Sequence, residues 1–234
     1  MKFSTGFCRG VREAMGVPTA VLAAGYIGYG AIAADMKFPV LVAMLSTAAI
    51  WALPGQIILM EMSGVGAPAL VIVLAVMFSA MRFLPMTVTL MPILRGAQRG
   101  RLREYFAAHL IAMTGWAIVM RRGPELPQAE RLSFFTGLAI TGWVVSIAAT
   151  GAGFFIADSL PLLARIGFVF LSPLYFAIVL LADLRERMMA MALVFGAICG
   201  PVIHAFNPQW SVLAGGLIGG TLAFALRRTG RRHG

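Results

Sequence analysis

From residue 17 to residue 226 the chain is a succession of apolar runs separated by short polar stretches. The runs lie near 17–34, 39–60, 67–94, 105–120, 132–157, 163–182, 188–205 and 209–226. A helix rises 1.5 Å per residue, so about 20 residues cross the roughly 30 Å of hydrocarbon in a bilayer. Several runs reach that length, and the last two are short. The pattern predicts an all-α, polytopic helical membrane protein of about 6–8 hydrophobic segments, organised as a single transmembrane domain over residues 1–234. Pro and Gly recur inside the runs, as Pro54-Gly55, Pro85, Gly142 with Gly151 and Gly153, and Pro173. Each frees backbone groups that must be paired inside the protein or line a cavity, so at least one broken or re-entrant helix is expected.

Composition supports the same class. The chain is 60% hydrophobic and 12% charged, too few charges to cover a soluble domain of this size. Those charges cluster, with Arg95, Arg99, Arg101, Arg103 and Glu104 in one block and Arg227, Arg228, Arg231 and Arg232 in another. The formal charge of +10 therefore belongs to cationic loops beside a lipid bilayer. The loops are too short to build a nucleic-acid-binding domain. Lys2, Arg9 and Arg12 precede an apolar stretch ending near Ala31-Ile32-Ala33, which resembles a cleavage site. That stretch starts late and runs beyond a signal-peptide core, so it reads as a retained first membrane segment of a multi-pass inner-membrane protein.

The positive-inside rule places the N-terminal cations, the 95–104 block and the C-terminal tail on one face. An even number of crossings must then separate each pair, whereas full spans at every run give odd numbers. One segment in each half is therefore expected to be no simple crossing. Pro54-Gly55 is a candidate bend in the first half. The short pair 188–205 and 209–226, punctuated by Gly200-Pro201 and Asn207-Pro208, is the candidate in the second. A broken element in each half suits an inverted repeat, although no clear sequence repeat is visible.

Isolated polar residues carry the candidate chemistry. Arg82 stands alone in the uncharged run from Met62 to Leu94. A guanidinium there must face protein, water or an anion, so it is either a structural arginine at a helix break or a carboxylate contact. Ser79 lies one turn before it on the same face. Ser46, Thr47, Gly55 and Gln56 surround Pro54; they can bind a polar solute or serve helix packing, and the Gln56 amide must find partners in either case. Thr114, Trp116, Thr141, Ser146 and Thr150 can line a route or bond neighbouring helices. Trp51, Trp116 and Trp143 read as core or interface aromatics. Asp35, Glu61, Asp158 and Asp183 fall near segment ends, so no acid at the hydrocarbon centre forms a proton relay. Cys8 and Cys199, with His109, His204 and His233, have no metal-ligand spacing, and no cofactor or catalytic constellation is expected.

The stretch Ser46 to Gln56, the run Phe78-Ser79-Ala80-Met81-Arg82-Phe83-Leu84, the late run from Gly167 to Phe176 and the overall length resemble the AzlC family of branched-chain amino acid permeases. The resemblance covers nearly the whole chain in segment order, on short and degenerate motifs. It implies the large subunit of a LIV-E type exporter of branched-chain amino acids, working with a small multispanning AzlD-like partner, with substrate contacts at Gly55, Gln56 and Arg82. Two positions depart from the family pattern. Ala80 stands where an Asn is usual, and Thr114-Gly115 stands where an Asp-Glu pair is frequent. These departures bear on substrate and coupling. The function expected is a secondary transporter exporting branched-chain or similar small amino acids. A membrane scaffold and a membrane-embedded transferase are the alternatives.

Overall fold

A computed structural model describes residues 2–95, 101–182, 187–206 and 211–230, and these residues are helical or sit in short connections. In chain order the helices are α1 (Lys2–Ala14), α2 (Val17–Asp35), α3 (Val40–Ala49), α4 (Leu53–Gly64), α5 (Ala69–Ala80), α6 (Phe83–Leu94), α7 (Arg101–His109), α8 (Met113–Arg122), α9 (Gln128–Phe155), α10 (Leu162–Ala182), α11 (Arg187–Phe206) and α12 (Ser211–Gly230). They form two compact units, residues 1–173 and 174–234. Arg99, Asp183, Asn207-Pro208, Arg231, Arg232 and His233 lie outside the described residues.

The axis of the first unit is α9, whose 28 residues span about 42 Å at 1.5 Å per residue. Its buried face is built from small residues, among them Ser133, Gly137, Gly142, Ser146, Thr150 and Gly153. Lipid gives helices no hydrophobic drive to associate, so close backbone approach must supply the packing. At Gly137 a methyl group would strike the Phe7 backbone of α1. Those added at Gly153 and Gly30 would strike the Ile27 backbone and the Thr150 carbonyl. Leu22 lies beside Gly142, and Gly30 lies beside Thr150 and Phe154, so α2 and α9 run in the same direction.

The two ends of α9 differ in charge chemistry. At its start, Arg9 pairs with Glu130 at 3.4 Å and Arg122 with Glu13 at 3.5 Å. Gln128 Nε2 donates to the Arg95 carbonyl at 3.0 Å, and Arg95 pairs with Glu104 at 3.2 Å. Arg9, Arg12, Arg95 and Arg122 thus share this basic end. At the opposite end Arg165 pairs with Asp35 and donates to the carbonyls of Ala157 and Leu160. That set of bonds ties the end of α2 to the turn after α9.

Two elements enter this unit and turn back. From the opposite end α3 runs against α9, placing Thr47 on Thr150, Ala48 on Trp143 and Trp51 on Ser146. After a break at 50–52, α4 returns past Ser46 and Thr47 through Gln56, and Gly64 finishes against Met36. From the basic end α7 begins beside Arg95, reaches Ala48 with His109, breaks at 110–112, and returns as α8 to the Arg122–Glu13 pair. Each hairpin therefore enters and leaves at one end, and their tips meet.

The geometry sharpens three expectations. Among the described residues, α2 and α9 are the single helices long and apolar enough to cross a bilayer. α5 and α6, bent by 51° at Met81-Arg82, supply a third such element as a broken pair. Runs 39–60 and 105–120 each contain a break that turns hydrophobic length into a hairpin, so the expected broken element is present, while among the described residues the count of crossing segments falls short of six to eight. The first break falls at residues 50–52 and not at Pro54-Gly55. Pro54 sits in the first turn of α4, where no intrahelical partner is available for an N–H and the missing donor costs nothing. A broken element after α6 lies at 101–122, a run that had read as a simple crossing; α11 continues through Gly200-Pro201, and Asn207-Pro208 lies outside the described residues.

In the second unit α11 and α12 pack antiparallel on glycine. Gly215 meets Gly200 and Gly219 meets Gly196, where added methyl groups would lie 2.9 and 2.7 Å from the facing backbone. The G-x-x-x-G spacing on both helices permits that approach. Outward positions of the described helices are largely apolar, including Leu70, Leu84, Phe155 and Leu163, as expected for a helical protein whose outer solvent is lipid.

Candidate functional site

The tip of the first hairpin is held open by one residue. Trp51 has φ +44°, a left-handed conformation that ordinarily favours glycine. Its indole Nε1 donates to Ser146 Oγ at 3.2 Å, and its ring fills the space left by Gly142. The side-chain bond and packing thus offset a strained backbone, which ends α3 and lets Ala52 turn into α4.

Around this break lies a hydroxyl network that is almost completely buried. Ser46 donates to the Ala43 carbonyl at 2.7 Å, Thr150 to the Ser146 carbonyl at 2.9 Å, and Ser146 to the Gly142 carbonyl at 2.7 Å. Hydroxyl protons committed to the carbonyls of the preceding turn leave the oxygen lone pairs free to accept. Tyr29 then donates to Ser46 at 2.9 Å. Thr47 lies 3.1 Å from the Ala43 carbonyl and 2.9 Å from Thr150 Oγ1, so its one proton has two acceptors.

Gln56 closes the network. Its Nε2 donates to Ser46 Oγ at 3.1 Å and Thr47 Oγ1 at 2.9 Å. The residue is 0% exposed, yet Oε1 has no hydrogen-bond partner. Reversing the amide would instead strand two donors, so the orientation with one unpaired acceptor is the better of the two. A buried polar atom without a partner is costly and calls for an explanation.

The second tip is chemically sparser. His109 Nε2 lies 3.1 Å from the Ala48 carbonyl, which also accepts from Trp143 Nε1 at 3.0 Å. As carbonyls accept only, His109 carries its proton on Nε2 in this contact. Leu110, Ile111, Ala112 and Thr114 are buried around the break. Trp116 Nε1 donates to Thr89 Oγ1 at 2.9 Å, fixing α8 to α6. The N-caps of α4 and α8, Ala52 and Ala112, have no side-chain capping bond, so both half-helices present bare N-termini at the tips.

Of the residues singled out from the sequence, Ser46, Thr47 and Gln56 come together in this network. Gly55 lies behind it against α5, where an added Cβ would sit 3.9 Å from Ser79 Oγ. Thr114 occupies the second tip, apart from the network. Arg82 sits at the α5–α6 bend with its guanidinium 5.2 Å from the Phe83 ring and within electrostatic reach of Tyr26, one turn before Tyr29. Arg82 makes no ion pair among the described residues, and its side chain is exposed on this chain. Tyr29 and His109 were not among the predicted contacts. A tyrosine at i+3 from another in a run of Gly and Ala was the available signal for the first, and the contact made by His109 depends on a tip-to-tip approach that no local pattern carries. No group of acids, histidines and cysteines able to hold a metal ion occurs among the described residues.

Residues 19–160 match the AzlC protein family, and the chain belongs to it. The matched stretch runs from α2 through α9 and contains both hairpins and the network. The family is one of transporters and not of enzymes. No curated protein and no solved structure matches the chain.

Proposed function

We propose that this member of the AzlC family is a secondary transporter of the inner membrane, exporting branched-chain or similar small amino acids by alternating access. The observation that carries this reading is the meeting of two hairpins from opposite ends beside a buried polar network. Broken helices whose tips lie deep in a membrane protein are how transporters place polar backbone where a solute must pass. The elements run α2, hairpin, α5–α6, hairpin, with the second pair entering from the other end, which is the order of an inverted repeat. By the positive-inside rule the basic end is cytoplasmic and the Asp35–Arg165 end faces outward. A small multispanning AzlD-like subunit covers part of the apolar surface in this reading.

The substrate carboxylate falls to Arg82 and the uncapped N-termini of α4 and α8, since partial positive charge at a helix start favours an anion. Ser46, Thr47, Gly55, Gln56, Ser79 and Thr114 form the remaining wall. The network is closed in this conformation, so passage requires one hairpin at a time to withdraw from the other. Reconstitution with and without the partner, followed by efflux of labelled leucine, valine and methionine, tests the reading. Arg82→Ala, if folded, is expected to lower efflux at least about tenfold, the loss expected for one charge-assisted contact. Equal efflux from Arg82→Ala and wild type would remove Arg82 from the site.

A further inference from the structure

The Gln56 amide nitrogen occupies a position of distinctive chemistry. Ser46 Oγ and Thr47 Oγ1 both aim lone pairs at it, from 3.1 and 2.9 Å. Tyr29 bonds Ser46 on the far side and Thr150 bonds Thr47, so neither hydroxyl is free to turn away. Inserted donors satisfy these oxygens, and the donors now present belong to the protein itself. The consequence is the unpaired Oε1 of the same side chain, fully buried.

We propose that the Ser46–Thr47–Gln56 cluster is a subsite for a primary ammonium group, and that the Gln56 carboxamide fills it when substrate is absent. This rests on the transport reading above and assigns one end of the substrate to named atoms. An ammonium group has three N–H donors. Withdrawal of the carboxamide exposes three acceptors for them: Ser46 Oγ, Thr47 Oγ1 and Gln56 Oε1. The exchange replaces two neutral hydrogen bonds and one unpaired acceptor with three charge-assisted bonds. The cluster holds no carboxylate, so the positive charge must arrive with its own counter-charge, as in a zwitterion, or bind more weakly without one. No bond is made or broken covalently; the step is an exchange of hydrogen-bond donors.

The test uses the full chain in lipid nanodiscs and reads the shift in thermal unfolding as ligand is titrated. The probes are L-leucine, 3-methylbutylamine, which lacks the carboxylate, and 4-methylpentanoate, which lacks the amine. Sodium chloride against choline chloride forms the fourth arm. Leucine and the amine are expected to stabilise the wild type. Gln56→Met and Thr47→Val are each expected to weaken both by about tenfold or more while leaving the response to 4-methylpentanoate unchanged. Gln56→Glu keeps the acceptors and removes the internal donors, so it is expected to give a larger amine-induced shift than wild type, a gain that loss of packing alone cannot produce. No shift with the amine, equal shifts in wild type, Gln56→Met and Thr47→Val, or a shift with sodium and none with the amine would each overturn the subsite. Leucine efflux unaffected by Gln56→Met would also overturn it and leave transport standing. Amine binding that depends on Gln56 in a protein without leucine efflux would support the subsite and contradict the transport reading.

Discussion

The two hairpins are alike in path and opposite in chemistry. The α3–α4 tip is stitched to α2 and α9 by Tyr29, Ser46, Thr47, Trp51, Gln56, Ser146 and Thr150. The α7–α8 tip is a buried apolar turn held by His109 on Ala48 and Trp116 on Thr89. Both interrupt a helix near the middle of α9, so both must account for freed backbone groups. The first does so with side chains that can also serve a solute, and the second with contacts to its neighbours. A break in a membrane helix is thus not in itself a binding site; the polar side chains gathered beside it decide that. Thr114-Gly115 lies at the sparse tip, in the first turn of α8.

Matched substitutions in the two tips measure that difference. The largest effect is expected for Trp51→Ala, which removes a buried indole and its bond to Ser146 and leaves the left-handed turn unsupported, at about 3–5 kcal/mol. Trp116→Ala, half-buried in the second hairpin, is expected to cost about 1–2 kcal/mol. Thermal unfolding in detergent compares the pair, and equal losses would remove the distinction. Next comes Thr47→Val, which strands one Gln56 N–H and a Thr150 contact and is expected to cost about 1–3 kcal/mol. Thr114→Val should change stability by no more than about 0.5 kcal/mol, having no partner in the network. A Thr114→Val loss as large as that of Thr47→Val would show a polar role at the second tip that its surroundings do not explain.

Much of this arrangement was legible in the sequence, for a physical reason. Ser46, Thr47 and Gln56 stood out because polar atoms in an apolar run must find partners, and they found one another. The long run 132–157 became the single helix α9, and the shared end of Arg9, Arg12 and Arg95 follows the distribution of positive charge. The folding back of 39–60 was legible in the charge count, but the position of its turn was not. The length of the run suits a crossing, and the break depends on Trp51, whose left-handed backbone is supported by Gly142 and Ser146 nearly a hundred residues away. Proline drew attention two residues too late, because Pro54 marks where the returning helix starts and not where the first one stops. The second hairpin was missed because its turn, Leu110-Ile111-Ala112, contains neither proline nor glycine.

The central claim is that the hairpins enter from opposite faces and each returns to its own. Cysteine accessibility in intact cells and in inverted vesicles tests it directly, in a Cys8→Ser, Cys199→Ser background. Lys37→Cys and Val65→Cys flank the first hairpin, and Arg103→Cys and Glu125→Cys flank the second. The account predicts that positions 37 and 65 are labelled from outside and positions 103 and 125 from the cytoplasmic side. Labelling of 37 and 65 from opposite faces would make α3–α4 a crossing and contradict it.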